Sequence, residues 1–189
     1  RASVMGYPNR KATSEELSRM KDLLRREMGM GGFGLSLGLV YPPGVYTGID
    51  ELIDLARVVK ELDGILTAHI RNEGDQIVEA LSEMITIGEE TGVPIQISHL
   101  KTSGEKNWGK LTSVFDLIEN AQARGIDITA DRYPYTSSST DLDAILPAWA
   151  FEGGNEEELR RLRDEKTRKR MKEEILQEHP QADYWGRIR

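Results

Sequence analysis

Four apolar runs begin about 30 residues apart: 33–40 (FGLSLGLV), 65–70 (ILTAHI), 93–98 (VPIQIS) and 126–131 (IDITAD). A helical pattern fills each interval, and this repeat constrains the fold more than any other feature. Strands joined by a helix run parallel, because the crossover returns the chain to the same end of the sheet. The first interval carries Ile49, Leu52, Ile53, Ala56 and Val59 on one helical face. The second carries Ile77, Leu81, Met84, Ile85 and Gly88, in a helix expected over 74–91. The third carries Leu111, Val114, Phe115, Ile118 and Ala121. Gly64, Gly92 and Gly125 are read as the stops of these three helices. An earlier helix opens at Thr13, with Glu16 completing a capping box, and Gly29, Gly31 and Gly32 end it. No GxGxxG follows any strand, so a dinucleotide fold gains no support. An open doubly wound sheet and a segment of a closed barrel both fit the pattern.

Length and charge set further limits. The 189 residues fall short of a complete eight-stranded α/β barrel, which takes roughly 250. The chain opens on Arg1 rather than Met, and the reading is of a piece cut from something larger. A net charge of −7 argues against nucleic acid as a partner. No apolar run is long enough for a transmembrane helix, so no membrane partner is expected. Cysteine is absent, so thiolate metal ligation is excluded within these residues, and the cytoplasm is the default compartment. The last part, 152–189, is more than half charged yet neutral, which marks a boundary with 1–151. It reads as one bent helix or two short ones, since Leu159 and Leu162 share a face that Met171 and Ile175 do not.

Two of the three histidines stand in equivalent places. His69 ends the second strand and His99 the third, one βα unit apart. Neighbouring strands lie about 4.8 Å apart, so both imidazoles can reach one metal ion; hydrogen-bonded structural histidines are the alternative. Strand alternation adds Arg71 to the face of His69 and Lys101 to that of His99. The two cations suit either a substrate carboxylate or surface salt bridges. Asp131 and Tyr133 share a face after the fourth strand, where a substrate contact and a polar loop stiffened by Pro134 compete. His179 receives no role.

The strings GLSLGLVYPPG, TAHIRNEGD, VPIQISHLKTSGEKNWGK, DITADRYPYT and LPAWAFEGG occur in this order. With them the chain resembles the N-acyl-D-amino-acid deacylases (D-aminoacylases) of the amidohydrolase superfamily, up to about residue 155. The resemblance implies an α/β fold, here a partial (β/α)8 TIM-barrel segment of about four parallel βα units over 1–151. Over 152–189 it implies a charged helical insertion lying over the pocket. It implies a zinc-dependent hydrolase that cleaves the N-acyl amide of N-acyl-D-amino acids, a carbon–nitrogen bond outside peptides. His69 and His99 match metal ligands. Lys101, Tyr41 and Tyr133 match substrate contacts, with Tyr135 the rival of Tyr133, and Arg71 is a further candidate for the substrate carboxylate.

The resemblance also implies what is missing. The family's upstream HxH strand and cysteine ligand do not occur here, and its catalytic aspartate lies beyond Arg189, so no catalytic residue is expected in this piece. Asp131 is on the wrong strand to be that aspartate. Zinc is accordingly expected to be weak or absent in the fragment, and the fragment to be inactive. Two unpaired sheet edges, at 33–40 and 126–131, are expected to drive self-association as a homodimer. A dihydroorotase-like or hydantoinase-like cyclic amidohydrolase, or a non-catalytic βα scaffold, are the alternative functions.

Overall fold

Thr13 Oγ1 accepts the N–H of Glu16 at 3.2 Å, and the Glu16 carboxylate accepts the N–H of Thr13 at 2.8 Å. This capping box satisfies two backbone donors that a helix start leaves open. In the computed structural model, which describes residues 1–180 and 185–186, it opens the second helix. The chain begins with α1 (Ala2–Met5) and α2 (Ser14–Gly29). Then follow β1 (Gly34–Gly38), α3 (Ile49–Glu61), β2 (Ile65–His69), α4 (Ile77–Thr91), β3 (Ile95–Ile97), α5 (Leu111–Ala123) and β4 (Ile128–Ala130). Helices α6 (Asn155–Arg163) and α7 (Glu165–Glu178) form the charged segment; 181–184 and 187–189 lie outside the described residues.

The four strands form one sheet in the order β1-β2-β3-β4, every neighbour pair parallel. Register explains how its two faces differ. Leu66, Ile95 and Ile128 form one row and Ala68, Ile97 and Ala130 the next, and all but Ala130 are buried. These rows pack on Leu52, Ala56, Val59, Leu81, Val114 and Ile118 from the covering helices. Removing one side chain there, as in Leu81→Ala, costs about 2–5 kcal/mol. On the opposite face Ser36, Thr67, Gln96 and Thr129 line up across all four strands. Ile65, paired with Gly34, shares that face and is exposed, whereas period two sends the other apolar strand residues to the helix side.

Gly64 does something other than stop a helix. Asp63 carries the left-handed turn after α3, at φ 53°. A Cβ at Gly64 would fall 2.9 Å from the Phe33 carbonyl oxygen, so this position needs glycine for close approach of β1 to β2. The charged segment is two helices, not one: Asp164 leaves helical geometry and its carboxylate accepts the Thr167 N–H at 2.8 Å to start α7. The stretch before this segment is tied to the loop after β1. The Tyr46 hydroxyl donates to the Ala148 carbonyl at 2.5 Å, and the Tyr41 hydroxyl lies 3.1 Å from Thr140 Oγ1.

Candidate functional site

His69 is the last residue of β2, and His99 follows β3 by two residues. Parallel register brings both imidazoles to the carboxyl end of the sheet, with ring centroids 4.5 Å apart, edge to face. The backbone of His99 is in the left-handed region at φ 42°. That turn swings its ring toward His69, and it is held from β4: Asp131 Oδ1 accepts the His99 N–H at 2.6 Å. Asp131 Oδ2 accepts from Gln96 Nε2 at 2.9 Å, and the Gln96 amide oxygen accepts the Thr129 hydroxyl. The polar row across the sheet therefore runs into the turn that aims His99.

Glu73 joins the pair. Its Oε1 lies 2.9 Å from His99 Nδ1 and 4.0 Å from His69 Nε2. One ligand atom from each of His69, Glu73 and His99 lies within 4.8 Å of the others, the group of three such residues that could hold a metal among the described residues. Two imidazoles and a carboxylate are an ordinary donor set for zinc. A cation already stands among them: Lys101 Nζ donates to Glu73 Oε1 at 2.5 Å and lies 3.0 Å from His99 Nδ1. The ammonium marks a point where the donors converge on positive charge, so the residues present fit a metal. If His99 Nδ1 carries the proton it donates to Glu73; if bare, it accepts from Lys101. Burial lowers the pKa of His69, with His99 and Lys101 adding to that and Glu73 opposing it. His69 is thus held toward the neutral, ligating form near pH 7.

Aromatic rings wall the group. Tyr41 meets His69 edge-on at 5.1 Å, and Tyr133 lies 6.4 Å from His99 with Lys101 Nζ 5.5 Å from its ring centre. Tyr135 stacks behind Tyr133 at 6.3 Å and is 69% exposed, so Tyr133 is the tyrosine of the two that faces the histidines. Arg71 forms a salt bridge, one of its two expected alternatives. Its guanidinium grips both oxygens of Glu83, at 3.1 and 2.9 Å, and donates to the carbonyls of Val45 and Thr47, each at 2.9 Å. It fastens the Tyr41 loop to α4. Strand alternation fails for Arg71 because β2 ends at His69; beyond it the chain turns and returns Glu73 instead.

Glu73 is the residue that alternation missed; Asp131, which alternation paired with Tyr133, holds the His99 backbone. Glu73 stood in plain view within HIRNEGD, four residues after His69. Its loop is set by Asn72 Oδ1, which accepts from Gly74 and Gln76 N–H, and by the Ser103 N–H, which donates to the Glu73 carbonyl at 2.6 Å. Buried Asn107, 3% exposed, links the two loops through Asp75 and the Ser103 carbonyl.

The sheet and helices match a solved D-aminoacylase described as defining a subset of amidohydrolases, with TM-score 0.68 and 38% identity over 71% of this chain and 28% of that one. Parallel βα units with two histidines and a carboxylate at their carboxyl end are thus similar to a segment of that amidohydrolase. N-acyl-D-glutamate deacylase from Bordetella bronchiseptica, solved with zinc and a phosphonate inhibitor, matches at TM-score 0.68, 36% identity, 70% of this chain and 28% of that one. No family model matches the chain. Among curated relatives from Alcaligenes xylosoxydans xylosoxydans, a D-aminoacylase is 42% identical over 150 residues, 78% of this chain. An N-acyl-D-glutamate deacylase is 37% identical over 142 residues. The chain is homologous to the D-aminoacylases, the N-acyl-D-amino-acid deacylases, and spans 31% and 29% of the lengths of these two relatives.

Proposed function

We propose that these residues form part of the active site of a zinc-dependent N-acyl-D-amino-acid deacylase, which hydrolyses the carbon–nitrogen bond of the N-acyl amide. The observation that carries the reading is the convergence of His69, His99 and Glu73 on one point beside Lys101, in a chain homologous to such deacylases. In this reading His69 and His99 hold zinc, with Glu73 beside them as a further donor. Bound zinc supplies a Lewis acid for the amide carbonyl. Lys101 is the anchor for the substrate carboxylate, which draws its ammonium off Glu73. Tyr41 and Tyr133 exclude water from the two sides and offer hydroxyls to substrate oxygens. Arg71 acts on substrate through the Tyr41 loop it secures. No general base is assigned within the chain; Asp131 is committed to the His99 backbone.

The substrate is a small molecule, with neither nucleic acid nor membrane as partner. The acid excess supports the first, and no described helix is long and apolar enough to cross a membrane. We place the protein in the cytoplasm. The open edges at β1 and β4 support association of two copies, to be read by sedimentation at micromolar concentration; a 21.3 kDa monomer speaks against it. The charged helices α6 and α7 lie over the site in this reading, supported by the cavity that Tyr41 and Pro42 line together with Asn155, Glu158 and Glu178.

The test of the activity is a panel of N-acetyl-D- and N-acetyl-L-amino acids with protein of the relatives' full length. Cleavage of D substrates alone, lost on His99→Ala, is the expected result. Ring opening of hydantoins with the acetyl amides untouched replaces this reading with a cyclic amidohydrolase.

A further inference from the structure

A cavity of about 470 Å³ lies between the loop after β1 and the charged helical segment. We propose that it is a subsite for an organic cation, an alkylammonium or guanidinium group, and that it receives the side chain of a basic N-acyl-D-amino acid; this substrate assignment rests on the deacylase reading above.

Position comes first. Tyr41 lines the cavity, and the same ring packs edge-on against His69 at 5.1 Å. The cavity therefore begins one side chain away from the paired histidines. Its volume suits a small ligand group.

Charge comes second. Asp141, Asp143, Glu158 and Glu178 line the cavity; no lysine or arginine is among its described lining residues, and His179 is the basic side chain among them. Glu158 is only 8% exposed, and no hydrogen bond or ion pair reaches its side chain from the described residues. The cations nearby on its own helix are engaged elsewhere: Arg160 on Glu157, and Arg161 on the carbonyls of Ala150 and Glu152. Burial, and then Asp143, push the Glu158 carboxyl above its usual range, as fits a charge left without a partner. A buried carboxylate is costly unless something pairs with it, and here the cavity is the side left open.

The chemistry of the occupant follows from spacing. His69, Glu73 and His99 are the described residues that converge closely enough for a metal ion, and none of the cavity acids joins such a group. The acids are spread around a space that Phe151, Pro42 and Tyr7 make partly apolar. A cation on an alkyl stem matches that lining, with aromatic faces adding attraction for the charge. An acidic side chain in the same place meets four carboxylates.

Two measurements test this and separate it from the deacylase reading. In the first, pentylamine, pentanoate and 1-pentanol are titrated into the chain and followed by NMR. Pentylammonium alone is expected to saturate at the cavity, and Glu158→Gln to weaken it about tenfold or more, the loss of a charge-assisted contact. If Glu158→Gln does not fold, Asp143→Asn serves the same comparison. Equal binding of the three probes, no binding, or binding indifferent to both variants overturns the subsite. In the second, N-acetyl-D-lysine and N-acetyl-D-glutamate are compared as substrates of the full-length protein. Preference for lysine that collapses in Glu158→Gln, with N-acetyl-D-methionine turnover kept, supports the assignment; preference for glutamate overturns it. Pentylammonium binding with no cleavage of any N-acyl-D-amino acid leaves the cation subsite standing and removes the deacylase reading.

Discussion

Asp131 Oδ1 accepts the backbone N–H of His99 at 2.6 Å, and the histidine it holds is at φ 42°. A left-handed backbone costs a residue with a Cβ on the order of 1 kcal/mol, so it persists where neighbours impose it. Asp131→Ala is expected to release His99 and to weaken cobalt or zinc binding by about 10- to 100-fold, as loss of a ligand's support does. Asp131→Asn keeps an acceptor and should lose less. Unchanged affinity in Asp131→Ala, read by cobalt absorbance, removes the positioning role.

Lys101 competes for the place of a metal. Its ammonium is 2.5 Å from Glu73 Oε1 and 3.0 Å from His99 Nδ1. Three donors, one neutralised by a lysine, make a weak site, so the purified chain is expected to carry zinc well below one equivalent and to show no deacylase turnover above a His99→Ala control. Lys101→Met removes a charge next to the ligands and should raise zinc affinity about tenfold or more, given roughly 1–4 kcal/mol between unit charges at about 4 Å. Elemental analysis and competition titration check both. Tight stoichiometric zinc in the unmodified chain contradicts the first expectation, and a weaker Lys101→Met site the second.

His69 makes the fold acid-sensitive. Its folded pKa lies below 6.5, chiefly because burial disfavours the imidazolium. Both states are neutral at that position above 6.5, where its contribution is complete. As pH falls the unfolded chain binds the proton first, so stability is lost until pH passes below the folded pKa. His69→Gln should flatten the fall in urea midpoint between pH 7 and pH 5. Parallel curves for the two proteins show that another group governs the acid limb.

Arg71 is expected to matter for stability. Its fork holds Glu83 and two carbonyls of the loop that carries Tyr41. Arg71→Ala should destabilise by about 2–3 kcal/mol, the range for hydrogen bonds to charged groups when partners are left unpaired. Arg71→Lys should recover little of this, since one ammonium cannot serve both Glu83 oxygens and both carbonyls. A urea midpoint for Arg71→Ala within error of the parent protein refutes the fastening.

The parallel βα order was determined by sequence alone, because apolar residues recur at period two in the strands and at helical spacing between them. That His69 and His99 share one end of the sheet was legible for the same reason, but Ala68 pairs with Ile97, so His99 stands one residue past the level of His69 and its left-handed turn completes the meeting. Alternation carries information only as far as the strand does, however. Arg71, two residues past His69, leaves for Glu83, while Glu73 comes back to the histidines through a turn set by Asn72 and Ser103. Lys101 sits among the donors because His99 adopts a left-handed turn imposed from β4, a strand 30 residues away in sequence. Glu158 reads in sequence as one more charge on a charged helix; only the tertiary structure places it, largely buried and without a protein partner among the described residues, on the cavity shared with the Tyr41 loop. Sequence periodicity decided which residues share a face, since that depends on local geometry. Which charges meet was decided by tertiary structure, because loop paths depend on contacts between segments far apart in the chain.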